Sequence, residues 1–520
     1  MAVPLRCLRA HLRRLTLVTL GACAGHTVLH AQALPPAPSP RALSAIRQAD
    51  LERDLFAMAS PAMRGREGGS LDELRASIWV AEQYAKIGLV PMGEDGTWFQ
   101  WFNIVRTRVS TTASSAMLDT KALALFTDII PLNVVPVEAM GVVRWLADPN
   151  DTTTDVRGKI VATALVVPPA ASVRTTSYPT RVRYADAAIQ ATLRTLSRRG
   201  AAAIVLVASA PVDSAFAAVA VQRVRGAYDV DRATPRGFGQ SDRVAPPPSA
   251  GSGPPPAFLV RASQLVPMQR SPILTLSVRL ERFETPSVNV IGGLRGTDPR
   301  LRDEYVLYSS HQDANGVRAL EANGDSVLAG ADDNGSVSVA EFAAARAFVA
   351  QRPRRSLLFV HHGAEERGLL GSRYHSAHPV VPIGQIVAVL NGDMIGRNHP
   401  DTAALLGVQP PHRSSSTLVQ YALAANAKTG KFVIDTLWDR PTHPEGWYFR
   451  SDHVPYARLN VPSLMYTTNL HGDYHTASDT PERIDYPKLL RMAQWMFLTG
   501  WYVANADQRP PLDAGFKLER

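Results

Sequence analysis

Cysteine is almost absent: Cys7 and Cys23 are the only two in 520 residues. A disulfide scaffold and a thiolate metal cluster are both excluded. Long uncharged apolar runs are missing as well, and beyond the first 33 residues nothing approaches the ~20 residues that a membrane-spanning helix needs. Aromatic residues make up only 7% of the chain and do not alternate with the basic ones. The formal charge of +9 therefore does not describe a nucleic-acid groove, and no nucleic-acid partner is expected. Acidic residues are scarce in two places. Arg6, Arg9, Arg13 and Arg14 open the chain with no acid nearby, and residues 131–270 hold 16 Lys/Arg against 9 Asp/Glu. The remainder is close to neutral, so the basic character is a solvated surface of one segment. The 45% apolar content suffices for ordinary cores, and the length calls for two or three domains.

The first 33 residues read as an export signal. A basic start precedes a short apolar run over 15–24, and Ala31-Gln32-Ala33 fits small-x-small cleavage after Ala33. Leu20-Gly21-Ala22-Cys23 also fits a lipoprotein box, in which Cys23 would carry a lipid anchor to a membrane. Both readings stand, and both give an exported protein, secreted, periplasmic or lipid-anchored, that folds without disulfides.

Residues 34–44 are a Pro-rich linker. Leu51, Leu55 and Met58 share one helix face, as do Leu74, Ile78, Ala81 and Tyr84, with Gly88 as a stop. A domain begins over 45–130, is interrupted by an insert over 131–270, and resumes over 271–510, leaving 511–520 as a tail. The insert is expected to be a smaller β-rich α+β unit. It has strand-like runs at 141–145, 159–163 and 203–207, a helix over 184–198 and a Pro-rich exposed loop over 246–256. From about 286, strands at 288–291, 305–309, 356–360, 386–390, 431–434 and 462–466 alternate with helices over 336–349, 415–427 and 486–505. This is α/β order, a mostly parallel central sheet with helices on both faces. In such sheets, sites form at the carboxyl ends of the strands.

Polar residues cluster there. His311, Gln312 and Asp313 follow one strand, GADDNGS (330–336) precedes a helix, GAEE (363–366) follows the next strand, and Asn391-Gly392-Asp393 the next. Asp473-Tyr474-His475-Thr476 lies past the last. Each is unremarkable singly: an Asp-Asp-Asn-Gly run makes a turn or a cap, and a Glu pair is usually solvated. Together, several carboxylates at one strand edge repel one another unless cations compensate. A donor set of His and carboxylate without sulfur suits catalytic zinc.

These strings resemble a known family, the zinc-dependent metalloexopeptidases with two co-catalytic zincs, which include secreted leucyl-type aminopeptidases and glutamate carboxypeptidase. The motifs that carry the resemblance are His311-x-Asp313, GADDNGS (330–336), GAEERGLLGS (363–372), NGDMIG (391–396) and YHTASD (474–479). MRGREG (63–68), GLVP (88–91) and GTWFQ (96–100) match the family's opening, so that about 45–125 and 285–505 are covered. Val337 stands where a small residue is usual, and the insert resembles a protease-associated domain. The resemblance implies the zinc exopeptidase fold and two zinc ions. His311 and Asp393 would bind one ion, Glu366 and His475 the other, and Asp333 would bridge them. Glu365 would be the general base. Asp313 would accept the second ring N–H of His311, and Asp479 would act similarly near His475. Tyr474 would either donate to the oxyanion or simply pack. A cis peptide at Asp333–Asn334 is implied, and Ser451-Asp452-His453 reads as a pocket wall or structural turn.

The expected activity is removal of residues from peptide or protein N-termini. The alternatives are a carboxypeptidase of the glutamate carboxypeptidase type, for which Arg440 and Arg450 would be pocket candidates, and a single-zinc glutaminyl cyclase. A receptor-like relative without metals is disfavoured, because all five ligands and the base are present.

Overall fold

The computed structural model describes residues 34–165, 178–230, 254–318, 326–443 and 445–518. The expected signal over 1–33, with Cys7 and Cys23, and most of the loop over 246–256 lie outside the described residues. Among the described residues, no helix is long and apolar enough to cross a membrane.

The main sheet has ten strands. Across it run Val433–Asp435, Thr402–Leu406, Ser463–Thr467, Ile386–Gly392, Tyr305–His311, Ser356–His362, Leu280–Leu294, Phe99–Val109 and Ala227–Val230, with Val90–Pro91 beside Leu280–Leu294. The four strands from Ser463–Thr467 to Ser356–His362 are mutually parallel. All four are buried along their length, apart from the half-buried Tyr305 at the start of one. That explains why they read as continuous apolar runs rather than as alternating ones. Outside this centre most pairs are antiparallel: Thr402–Leu406 runs against Ser463–Thr467, and Leu280–Leu294 against both Ser356–His362 and Phe99–Val109, while Val433–Asp435 lies parallel to Thr402–Leu406. The parallel expectation therefore describes the part of the sheet that carries the site.

The two faces of the sheet are covered differently. On one, Val306, Tyr308, Leu357 and Phe359 pack against the helices Leu71–Ile87, Val337–Ala350, Ser416–Lys428 and Tyr486–Asn505. On the other, Leu307, Leu358 and Val360 meet Val381, Tyr456 and Val461. The helix Val337–Ala350 shows how strongly the layers are buried, with eleven of its side chains inside. Its Ala-rich run lets the chain approach the sheet and gives no amphipathic stripe.

A second sheet of eight strands orders as Lys121–Ala122, Ser115–Leu118, Ile273–Val278, Val137–Leu146, Ile160–Ala164, Ala203–Val207, Ala257–Val260 and Ile129–Pro131. It reaches past the 131–270 interval on both sides. The chain leaves the main sheet at Val109 and rejoins it at Leu280, immediately after Val278. The change of texture at 131 marks only where the second sheet becomes rich in strands. Conversely, Ala227–Val230 lies inside that interval yet pairs antiparallel with Phe99–Val109 in the main sheet.

Candidate metal centre

Several of the candidate residues sit at or just past the ends of strands of the parallel centre. His311 ends Tyr305–His311, Asp393 follows Ile386–Gly392, and Glu365 and Glu366 follow Ser356–His362 after a tight turn. Gly363 is required in that turn, since a Cβ there would stand 2.5 Å from the Val288 carbonyl oxygen and 2.6 Å from Ser287 Oγ. The loop 330–336 leads into the helix Val337–Ala350 and contains a cis peptide at Asp333–Asn334, as the resemblance implies. Asn334 ties this loop to the neighbouring one: its amide donates to the Gly392 carbonyl at 3.0 Å, and its oxygen accepts from Met394 N–H at 3.3 Å.

The donors form two groups: His311, Glu365 and Asp393, and Asp333, Glu366 and His475. The Asp333 carboxylate joins them. Its Oδ1 lies 3.4 Å from His311 Nε2, and its Oδ2 lies 3.1 Å from His475 Nε2. Glu366 Oε2 is also 3.1 Å from His475 Nε2, and Glu365 Oε2 is 3.7 Å from His311 Nε2. Donors held ~2.0–2.1 Å from a tetrahedral zinc stand ~3.3 Å apart, close to these spacings. Neither Nε2 makes a hydrogen bond, although both are buried. Two orphaned imidazole nitrogens facing carboxylates, with no sulfur in the set, fit zinc.

The sequence comparisons agree with this chemistry. Residues 289–499 match the family model described as peptidase family M28. Among similar proteins, a probable zinc metalloprotease of Pyrenophora teres f. teres is 27% identical over 247 residues, covering 44% of this chain and 51% of its own. A probable leucine aminopeptidase of Arthroderma otae is 28% identical over 226 residues, covering 41% of this chain and 58% of its own. The chain thus spans little more than half the length of these curated relatives. The structure of an aminopeptidase from Aneurinibacillus sp. strain AM-1 superposes with a TM-score of 0.56 at 15% identity, covering 92% of this chain and 98% of that one. At that identity the likeness is one of fold.

Burial sets the electrostatics of this centre. Glu365 is held well above the usual carboxylate range by burial, with Asp452, Asp393 and Glu366 adding to the effect and His311 opposing it. Burial and the Asp333 charge push Asp393 up to about 8. Asp333 is lowered: burial raises it, but the two imidazoles outweigh burial. Burial alone would lower His475, yet Glu366 and Asp333 raise it to about 9, and His311 is raised in the same way by Glu365, Asp313 and Asp333. With no metal bound, protons on the two imidazoles help to offset the carboxylates around them. A metal needs the same nitrogens neutral, so two ions would take the place of those two protons.

Two expected orienting contacts differ from expectation. The Asp313 carboxylate lies 3.5 Å from His311 Nδ1, and the nearer acceptor is the Asp313 carbonyl at 3.1 Å. The carboxylate instead accepts from the backbone N–H groups of Glu365 at 2.9 Å and Glu366 at 3.3 Å, so it fixes the turn that carries both. Asp479 does not reach His475. It accepts from the N–H groups of Asp332 and Asp333 at 3.0 and 3.1 Å and holds the bridging loop. In both cases a carboxylate near bare backbone donors takes those first. The Tyr474 ring stacks on His475 with centroids 3.7 Å apart, and its oxygen accepts from Arg450 Nη2 at 3.0 Å. Ser451, Asp452 and His453 are buried, and Ser451 Oγ accepts from Asn391 at 2.8 Å, a structural position with no triad geometry.

Arg66 was not singled out from sequence. It is fully buried and donates to the carbonyls of Gln312 (2.7 Å), Met58 (3.1 Å), Ala329 (2.7 Å) and Gly330 (3.0 Å). Burial lowers its pKa to about 10, opposed by Asp313, Asp479, Asp333 and Glu366. It is the fixed cation beneath the centre. The one available sequence signal was its place in MRGREG (63–68), which says nothing about its depth. Glu73, also buried, accepts from Ser287 Oγ at 2.9 Å and Ala364 N–H at 2.8 Å, supporting the same turn from below.

Proposed function

We propose that this chain is a di-zinc aminopeptidase that hydrolyses the first bond of peptides. The observation that carries the reading is the Asp333 carboxylate facing both His311 and His475, with Glu365 alongside. His311 and Asp393 would hold one zinc, Glu366 and His475 the other, and Asp333 would join them. The position of Asp333 between two imidazoles favours two ions over the single zinc of a cyclase. Zinc bound there supplies the charge that polarises the peptide carbonyl and acidifies the attacking water.

The chain's own residues do the rest. Glu365 takes the proton of the attacking water on its carboxylate and delivers it to the leaving amine; its raised affinity for protons suits both steps. Asp313 keeps the backbone of Glu365 and Glu366 in place. The Tyr474 oxygen already accepts from Arg450, which leaves its own O–H free to donate to the oxyanion. The signal-like residues 1–33 support export, by cleavage after Ala33 or by lipidation at Cys23. The place of the second sheet in the chain and its strand content support a protease-associated-like module.

The test compares aminoacyl-anilides with their N-acetylated forms, before and after chelation and with zinc restored. Hydrolysis of the free-amine substrates alone, lost on chelation and recovered with about two zinc per chain, is expected. Cleavage of N-blocked peptides from the C-terminus would overturn the reading in favour of a carboxypeptidase.

A further inference from the structure

The metal centre is acidic, but one side of its rim is basic. The edge strand Ala227–Val230 pairs with Phe99–Val109, and the turn before it carries Arg225. Arg106 Nε donates to the Arg225 carbonyl at 2.7 Å. The Tyr228 ring has the guanidinium of Arg106 5.7 Å and that of Arg367 5.3 Å from its centre. The turn thus lies against Arg367, the residue next to Glu366. Arg318 approaches from another loop: it donates to the Asn315 side-chain oxygen, and the Asn315 amide donates to Glu366 Oε1 at 2.5 Å. Asn315 also lines the small pocket that Asp333, Glu366 and His475 face.

Arg367 pairs with Glu67 at 2.5 Å. The half-buried guanidinium of Arg225 makes no hydrogen bond or ion pair among the described residues. Burial and the adjacent Arg318 and Arg367 lower its pKa to about 10, with Glu67 and Tyr228 opposing. An anion would relieve this repulsion, and guanidinium forks match a carboxylate in shape.

We propose that Arg225, Arg318 and Arg367 form an anion subsite beside the metal centre, which takes a substrate carboxylate close to the bond being cleaved. The proposal rests on the peptidase reading and narrows its substrates to two carboxylate sources: the free C-terminus of a dipeptide, or an Asp or Glu side chain beside the scissile bond.

The experiment uses the zinc-loaded full chain and its Arg225→Gln and Arg225→Lys variants. One arm compares Leu-Leu with Leu-Leu-amide, and the other compares Leu-Asp-amide with Leu-Asn-amide. The native protein is expected to prefer the carboxylate in one arm, which identifies the source. R225Q should lose about tenfold in kcat/KM for that substrate, mostly through KM, and R225K should recover part of it. Hydrolysis of leucyl-anilide and the melting temperature should not change. Equal rates in both arms for the native protein, or an equal loss on charged and neutral substrates in R225Q, would overturn the subsite. If no peptide is cleaved, the peptidase reading fails separately, and calorimetric titration with glutarate decides. Binding about tenfold weaker in R225Q supports the subsite, and equal binding rejects it.

Discussion

Glu365 and Arg66 lie beside the same centre and should fail in different ways. Glu365 faces the reacting space, 3.7 Å from His311 Nε2. Glu365→Gln keeps its shape and removes the base, so kcat should fall ~10²- to 10⁴-fold with zinc content unchanged by metal analysis. Arg66 instead spends its guanidinium on four backbone carbonyls. Arg66→Met leaves them unpaired and strips the buried carboxylates of their fixed cation. It should cost about 3–5 kcal/mol in denaturant unfolding. Sequence made Glu365 readable because an acid after an apolar strand has no solvent to explain it. Arg66 stayed hidden because an arginine in a glycine-rich turn is usually solvated, and its partners are 8 to 264 positions away.

Loops and strands differ in the same way. The loop 330–336 owes its shape to Asp479, nearly 150 residues further on. Asp479→Asn replaces one acceptor oxygen by a donor against two N–H groups. Zinc affinity should weaken about 10- to 100-fold in chelator competition, with a smaller change in kcat once zinc saturates. Among the strands, those of the parallel centre were readable almost to the residue: 305–309 was expected and Tyr305–His311 is found. Leu280–Leu294 was seen only over 288–291, because its first half is mostly polar or half-exposed. Phe99–Val109 and Thr402–Leu406 were missed as strands, since mixed polarity in one and a short run in the other leave no clear period. The insert boundary failed for a related reason. Sheet membership depends on pairing partners, and those of Ala227–Val230 and Ile273–Val278 lie more than a hundred residues away.

For the molecule as a whole, the buried acids make stability depend on metal and pH together. Glu73 and Asp393 are raised to about 8, and Asp452 and Asp479 to about 7, chiefly by burial. A raised folded pKa gives stability that is present at low pH and lost as pH rises through the folded value. Buried His361, His375 and His453 work in the opposite sense. Burial lowers each to about 3, so their contribution is present above the unfolded value of 6.5 and is lost as pH falls. Above pH 6.5 the histidines are neutral in both states and only the acids still titrate, so metal-free protein should lose stability between pH 6.5 and pH 8. The gain on adding zinc, read by calorimetry, should be larger at pH 8 than at 6.5. A flat profile in the metal-free protein would show that these groups titrate normally. The sequence by itself determined the parallel centre and the candidate donors, because apolar runs and the chemistry of ligand side chains are local properties of the chain. Only the tertiary structure decided which carboxylate faces two imidazoles, which arginine lies beneath them and which lie at the rim. Those relations depend on distances between residues that the chain order keeps far apart.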